Sequence, residues 1–214
     1  MRIHSGRTEH DGDDIGRGTR ETTRMGRTVY WMNVSMDLFI EHEKNEQGGG
    51  SWMRIGDDLH RAFNARAKRL ASMWQGRTVY EIMESFWPQA ATDASLSDVM
   101  QEYGRIWTSK PKILVSNSRR EASHDTRVIG GDDAMDRLAE LRAETNGDIG
   151  VGGATLATAL LRKKLLDELL LFVHPVVLGK GRPLFDDSQR PVECDLLETE
   201  AFPDGVVMHR YAIR

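Results

Sequence analysis

The chain has little cysteine and lacks a long hydrophobic run. Its one cysteine, Cys194, cannot form a disulfide within the chain, which fits a reducing compartment. The most apolar stretch, residues 169–178, is interrupted by His174 and Pro175 and is shorter than the roughly 18 residues that a membrane span needs. The first residues lack the apolar segment of a secretory signal. We therefore expect a cytoplasmic protein with no membrane partner.

An excess of positive charge is missing too. The 214 residues include 29 Lys and Arg against 33 Asp and Glu, which gives a net charge of −4. Because nucleic-acid binding depends on basic surface, we expect no nucleic-acid partner. The seven histidines show no paired ligand spacing, so we expect no metal site. The length and the 39% hydrophobic content suit a domain with a sizeable core.

The N-terminal segment differs from the rest in composition. Residues 1–26 hold five Arg, five acidic residues and five Gly, and few apolar ones. Such a segment cannot bury enough surface to offset the entropy of ordering, so we predict a disordered tail. Met25 directly precedes the first strand-like run, and two explanations stay open. Either the natural start is Met25, or the tail is a real flexible extension. The predicted domain covers residues 27–214.

Short apolar runs alternate with helical patterns along this domain. Runs rich in β-branched and aromatic residues predict strands at 28–36, 112–115, 127–129, 149–151, 168–178, 194–199 and 206–213. Periodic apolar residues predict helices at 57–75, 78–86, 97–107, 155–167 and directly after Asp132. The alternation favours a parallel sheet, and the last two strands, which arrive without helices, favour an antiparallel edge.

A glycine pair stands between one of these strands and a helix. Gly152 and Gly153 follow a short apolar run, and a helical pattern begins at Thr155. Glycine lets a ligand approach the backbone closely, and the unpaired N–H groups of a helix start attract anions, above all phosphate. The alternative is a tight strand-to-helix turn that binds nothing.

Several further landmarks follow the same order as in a known superfamily. They are the segments Ser35-Met36-Asp37, GRTVYE at 76–81, Ser116-Asn117-Ser118, GVGGA at 150–154 and HPVVLGKGRPLF at 174–185. This order resembles the dihydrofolate reductase-like superfamily over residues 29–213. It is most similar to the reductase domain of the bifunctional riboflavin-biosynthesis deaminase–reductase and its stand-alone bacterial relatives. The resemblance implies an α/β fold with a mixed, mainly parallel sheet flanked by helices.

The resemblance also implies NADPH as cofactor and assigns the residues that hold it. The residues expected at its phosphates and ribose are Gly76, Arg77, Thr78, Ser116, Asn117, Ser118, Gly152, Gly153, Ala154, Thr155 and Leu156. Arg77, Arg119 and Arg120 offer the guanidinium groups that suit a 2′-phosphate, whereas an NAD site would favour a carboxylate there. For Arg119 and Arg120 the alternative is a solvated loop.

Two positions are candidates for the acidic residue of a reductase. Asp37 matches the acid of the superfamily's S-L-D-G turn, near the nicotinamide and substrate, although Leu38 stands where that turn has glycine. The second candidate is Asp57 or Asp58, whose layout is similar to that of the helix carboxylate of dihydrofolate reductases. Of these two, we name Asp58 as the catalytic alternative to Asp37. Ordinary roles compete with both: a turn residue for Asp37, and a helix N-cap for Asp57 or Asp58.

The expected activity is an NADPH-dependent reductase that transfers a hydride to a pterin-, pyrimidine- or flavin-related small molecule. The alternative is a non-catalytic nucleotide-binding or regulatory protein with the same fold. A Rossmann enzyme is a weaker option, because the G-x-G-G pattern lies late in the chain and is incomplete. The zinc signature of a deaminase is missing from the sequence. Related domains pair through sheet edges, so a homodimer is a further expectation.

Overall fold

The computed structural model describes residues 25–42, 50–187 and 190–214. Residues 1–24, most of the predicted tail, lie outside these ranges. Of the last two tail residues, Met25 forms a β-bridge with Asn146, and the Gly26 N–H donates to the Arg142 carbonyl at 3.3 Å. A natural start at Met25 stays a prediction.

The described residues form ten strands. In chain order they are β1 (Thr28–Ser35), β2 (Phe39–Glu41), β3 (Ser72–Gly76), β4 (Lys112–Val115), β5 (Thr126–Ile129), β6 (Ile149–Gly152), β7 (Glu168–His174), β8 (Arg182–Pro183), β9 (Cys194–Ala201) and β10 (Val207–Ile213). Eight of them make one sheet in the order β5-β4-β3-β6-β1-β7-β10-β9, and β2 pairs with β8 in a separate ribbon. Strands β5, β4, β3, β6, β1 and β7 run parallel to one another, and β10 is antiparallel to both of its neighbours, β7 and β9. The predicted mixed, mainly parallel sheet is confirmed.

Helices cover both faces of this sheet. They are α1 (Asp57–Arg69), α2 (Arg77–Ala90), α3 (Asp98–Ser109), α4 (Ala134–Glu144) and α5 (Ala154–Arg162). Side chains of α1, α2 and α3 enter one core, and those of α4 and α5 enter a second core on the opposite face. No helix in the described part of the chain is long and apolar enough to cross a membrane.

The side chains of strand β1 contribute to both cores. Val29 belongs to the core under α1–α3, whereas the next residue, Tyr30, belongs to the core under α4 and α5. Successive side chains of a strand point to opposite faces, so a strand buried on both faces reads as a continuous apolar run. This burial accounts for the strength of the strand signal at residues 28–36.

One central strand was predicted from the sequence as part of a helix. The predicted helix at 57–75 ends at Arg69, because Leu70 takes extended backbone angles (φ −65°, ψ 138°). The segment Ser72–Gly76 is instead β3, hydrogen-bonded between β4 and β6. Trp74 was expected on the helix stripe and is buried in the sheet. Its apolar character suits either period, so periodicity alone could not separate the two structures.

Some element ends also differ from the prediction. Helix α2 continues past residue 86 and contains Pro88 in its last turn. Helix α5 ends at Arg162 rather than at residue 167. Strand β7 ends at His174, since Pro175 has no N–H to continue the ladder. These differences leave the topology unchanged.

Candidate functional site

Three neighbouring parallel strands end side by side at one edge of the sheet. Strand β3 lies between β4 and β6, and Gln75 is paired with both Leu114 and Gly152. The segment after β4 is Ser116–Ser118, and the segments after β3 and β6 are the first turns of α2 and α5. The carboxyl ends of parallel strands are the usual ligand-binding edge of an α/β sheet. The predicted phosphate-binding segments are therefore brought together.

A cavity of about 1070 Å³ runs along this edge. Ten of the eleven predicted cofactor-binding residues line it. These are Gly76, Arg77, Thr78, Ser116, Asn117, Ser118, Gly153, Ala154, Thr155 and Leu156. The eleventh, Gly152, lies beside the wall, since a Cβ built on it would be 3.1 Å from Val79 Cγ1. Met32, Ile40 and Met53 form an apolar part of the lining.

Helix α5 begins directly after the glycine pair, and no side chain caps its N-terminus. Gly153 is the N-cap residue, with φ of +105° and no side-chain cap. A Cβ on it would lie 3.4 Å from Val79 Cγ2 and 3.8 Å from the Gly76 nitrogen, between the starts of two helices. The N–H groups of residues 154–156 have no partner within the helix. The site thus fits a phosphate group, because a side chain here would fill the space that the anion needs.

The serine segment after β4 is fixed by its own hydrogen bonds. Ser116 Oγ accepts the N–H groups of Ser118 (3.2 Å) and Arg119 (3.0 Å). Asn117 Oδ1 accepts the Gly131 N–H at 2.8 Å. Ser116 therefore shapes the loop, whereas Ser118 is exposed on it and lines the cavity.

The predicted guanidinium groups differ in their availability. Arg119 donates to Glu84 at 2.8 Å and stacks over the Tyr80 ring, so it is already engaged. Arg77 lines the cavity, and its ion pair with Glu81 (3.2 Å) is solvent-exposed, so breaking that pair costs little. Arg120 is exposed and makes no ion pair within the described residues. Arg77 and Arg120 are therefore the two that can turn toward an anion.

Asp37 holds a turn at the end of β1. Its carboxylate accepts the Ser35 hydroxyl (2.6 Å) and the N–H groups of Leu178 (3.1 Å) and Gly179 (2.7 Å). The Ser35 hydrogen bond, helped by the two backbone ones, lowers the pKa of Asp37 to about 2. Asp37 is not among the residues that line the cavity. It is ionised at neutral pH and joins β1 to the turn after β7.

The second pair of candidate acids lies in the first turn of α1. Asp57 and Asp58 are exposed, and Asp58 is 3.8 Å from Arg61. The capping role considered for them is wrong, because Gly56 occupies the N-cap position. Its N–H donates to Asp204 Oδ2 at 2.9 Å. Neither Asp57 nor Asp58 lines the cavity, and a catalytic role for Asp58 stays a prediction.

His174, at the end of β7, orders one wall of the cavity through its hydrogen bonds. His174 is fully buried; its Nδ1 accepts the Arg54 N–H at 3.0 Å, and its Nε2 lies 3.0 Å from Asn33 Oδ1. Burial, together with the charge of Arg54, lowers the pKa of His174 to about 4. The neutral ring fixes the segment that contains Met53. A histidine in a strand is no signal of this, because its partners are 120 and 141 residues away.

Two Bacillus subtilis proteins are similar to this chain over most of their length. YwjB is 35% identical over 185 residues, which cover 86% of this chain and 96% of that protein. YyaP is 28% identical over 186 residues, which cover 86% of this chain and 94% of that protein.

Solved structures share the fold at low sequence identity. A riboflavin biosynthesis protein from Shewanella gives a TM-score of 0.68 at 19% identity, covering 88% of this chain and 99% of its own. A deaminase/5-amino-6-(5-phosphoribosylamino)uracil reductase from Thermotoga maritima gives 0.59 at 14%, with 89% and 57% covered. Dihydrofolate reductase from Enterococcus faecalis, complexed with NADP(H), gives 0.58 at 12%, with 89% and 98% covered. The fold is dihydrofolate reductase-like, and since the profile of the RibD C-terminal domain matches residues 30–208, the chain belongs to the RibD C-terminal domain family.

Proposed function

We propose that this protein is an NADPH-dependent reductase of a pyrimidine-related small molecule. One observation carries the proposal: ten residues expected at the cofactor phosphates and ribose line a single cavity at the ends of β3, β4 and β6. The names of the Thermotoga reductase and of the Enterococcus enzyme complexed with NADP(H) support it. A pyrimidine substrate is favoured over a pterin or flavin by the family, whose solved relatives include a pyrimidine reductase-like protein.

The cavity offers a distinct environment for each part of the cofactor. The bare start of α5 at Gly153 suits the diphosphate. Ser118 and Arg77, which line the cavity, suit the adenosine ribose and its 2′-phosphate, and Arg120 follows two residues after Ser118. The apolar residues Met32 and Met53, with Ile40, suit the flat face of a nicotinamide ring. This order runs along the edge of the sheet from β4 toward β1.

NADPH supplies the hydride when it is bound, and the protein orients the reactants and delivers the proton. The low pKa of Asp37 makes it a poor proton donor at neutral pH, so we assign it the task of holding the turn next to the substrate end. Glu41 is the carboxylate that the described residues contribute to the cavity lining. Delivery of the proton therefore falls to Glu41, to Asp58, or to a water that one of them holds.

The first experiment is a fluorescence titration with NADPH and with NADH. Trp52, next to Met53 in the chain, provides a reporter. We expect saturable quenching with tighter binding of NADPH. Oxidation of NADPH is then followed with 5-amino-6-(5-phosphoribosylamino)uracil or dihydrofolate as acceptor, in the wild type and in Asp37→Asn, Glu41→Gln and Asp58→Asn.

Each result has a defined meaning. Absence of binding to either dinucleotide would refute the proposed function. Binding without oxidation of NADPH by either acceptor would favour the nucleotide-binding alternative. Strand β9 forms one edge of the sheet, and most of its residues are exposed. Pairing of two copies through this edge stays a prediction.

A further inference from the structure

Arg182 enters the cavity from an element outside the main sheet. It lies in β8, whose partner is β2, with Glu41 opposite Arg182 in the register. Its Nη2 donates to Thr155 Oγ1 at 2.9 Å and forms an ion pair with Asp186 Oδ1 at 2.6 Å. Thr155 belongs to the first turn of α5, directly after the glycine N-cap. A guanidinium therefore lies next to the bare helix start.

The side chain is oriented and yet open. The Asp186 N–H donates to Thr158 Oγ1 at 2.9 Å, so the segment around Arg182 is tethered along α5 at a second point. Both contacts of the guanidinium use Nη2, and its Nε and Nη1 have no partner within the described residues. The side chain is 39% exposed and lines the cavity. One edge of the guanidinium fork thus remains for a ligand.

We propose that Arg182 binds the bridging diphosphate of the dinucleotide together with the N–H groups that open α5. The inference rests on the proposed function and adds to it a residue for which the sequence analysis gave no role. An Arg fork makes charge-assisted, often bidentate bonds to phosphate oxygens, and the helix start contributes N–H donors beside it. The group recognised is the diphosphate, which NADPH and NADH share.

The neighbouring carboxylate gives the proposal a second, opposite consequence. Asp186 competes with an anion for Arg182, since the two side chains form an ion pair at 2.6 Å. Removing its charge leaves the guanidinium more available and removes a repulsion from the phosphate. Asp186→Asn should therefore tighten dinucleotide binding, whereas Arg182→Met should weaken it.

The experiment measures Kd by calorimetry for three probes: NADPH, NADH and adenosine 2′-monophosphate. For Arg182→Met we expect Kd to rise about 10-fold or more for both dinucleotides and to stay within about 2-fold for adenosine 2′-monophosphate, which lacks the diphosphate. Arg182→Lys should lose roughly 3-fold, and Asp186→Asn should gain about 2- to 5-fold. Arg105→Met, a charge-matched change on α3, should leave all three values unchanged.

The outcomes separate this inference from the proposed function. Wild-type NADPH binding with an unchanged Kd in Arg182→Met overturns the role of Arg182 alone. An equal loss for adenosine 2′-monophosphate also overturns it, because the effect would then be a general charge or folding effect. Lack of dinucleotide binding in the wild type overturns both proposals. If Arg182→Met does not fold, the opposite changes expected for Arg182→Lys and Asp186→Asn decide.

Discussion

Gly153 is the position at which the backbone argument can be tested most directly. Its φ of +105° lies in a region that other residues rarely adopt, and it caps α5 without a side-chain bond. In Gly153→Ala the new Cβ would lie 3.4 Å from Val79 Cγ2 and 3.8 Å from the Gly76 nitrogen. The substitution therefore both strains the backbone and occupies the space between the two helix starts.

The two effects have separable magnitudes. Holding alanine at such angles costs about 2 kcal/mol, which corresponds to a Tm loss of roughly 4–8 °C for a domain of this size. Alternatively the backbone relaxes, and the N–H groups of residues 154–156 then turn away from the anion. In both cases we expect the Kd for NADPH to rise at least about 10-fold, since charge-assisted hydrogen bonds are worth about 1.5–3 kcal/mol each.

Gly205→Ala is the matched control. Gly205 has φ of +81° in the turn between β9 and β10, where its N–H donates to the Phe202 carbonyl at 2.9 Å. Alanine there costs about 1–2 kcal/mol of backbone strain and lies outside the cavity lining. We expect a comparable Tm loss with an unchanged Kd for NADPH. Wild-type affinity in Gly153→Ala, measured by fluorescence quenching, would refute the assignment of the α5 start as the phosphate site.

Three further outcomes are expected. Arg77→Ala should raise the Kd for NADPH about 10-fold and that for NADH less than about 2-fold; equal losses would remove Arg77 from the 2′-phosphate role. Asp37→Asn should lower kcat with little change in the Kd of the cofactor, and an unchanged kcat would contradict this. The pKa of Asp37 is lower in the folded state than in the unfolded state, so the wild type loses stability as pH falls from about 4 toward 2. This loss should be smaller in Asp37→Asn. His174 stays neutral in the fold, so the unfolding free energy of the wild type should fall by up to about 3 kcal/mol between pH 6.5 and pH 4. An equally large fall in His174→Gln would contradict this role of His174.

The start of α5 at Gly153, which is the proposed phosphate site, could be predicted from sequence because its cause is local. A strand, two glycines and a helix lie within the 14 residues 149–162, and the backbone geometry of Gly153 follows from that succession. Strand β3 could not be predicted from the sequence, because Ser72–Gly76 becomes a strand only through its pairing with β4 and β6. Its residues satisfy a helical period as well as a strand period, and long-range hydrogen bonds decide between them.

The same difference between local and long-range causes applies to the side chains of the site. Arg182 reaches Thr155 only because β8 pairs with β2, and this pairing brings together residues about 140 positions apart. Arg119 shows the converse: its position after β4 suits a phosphate contact, but the salt bridge to Glu84 on α2 engages its guanidinium group. Spacing along the chain indicates where a residue lies on the sheet edge, whereas competing partners decide what it can bind.

The proposed phosphate site at the start of α5 consists of main-chain N–H groups, so it depends little on the identity of the surrounding side chains. Gly153 must keep its backbone angles, and the positions around it need only leave the helix start uncovered. Asp37 and the buried, neutral His174 lie outside the cavity lining and hold the loops that border it. This arrangement is consistent with a fold shared at 12–19% identity with the solved structures. Under the proposed function, substrate choice depends on the walls near Met32 and Met53, whose side chains line the cavity.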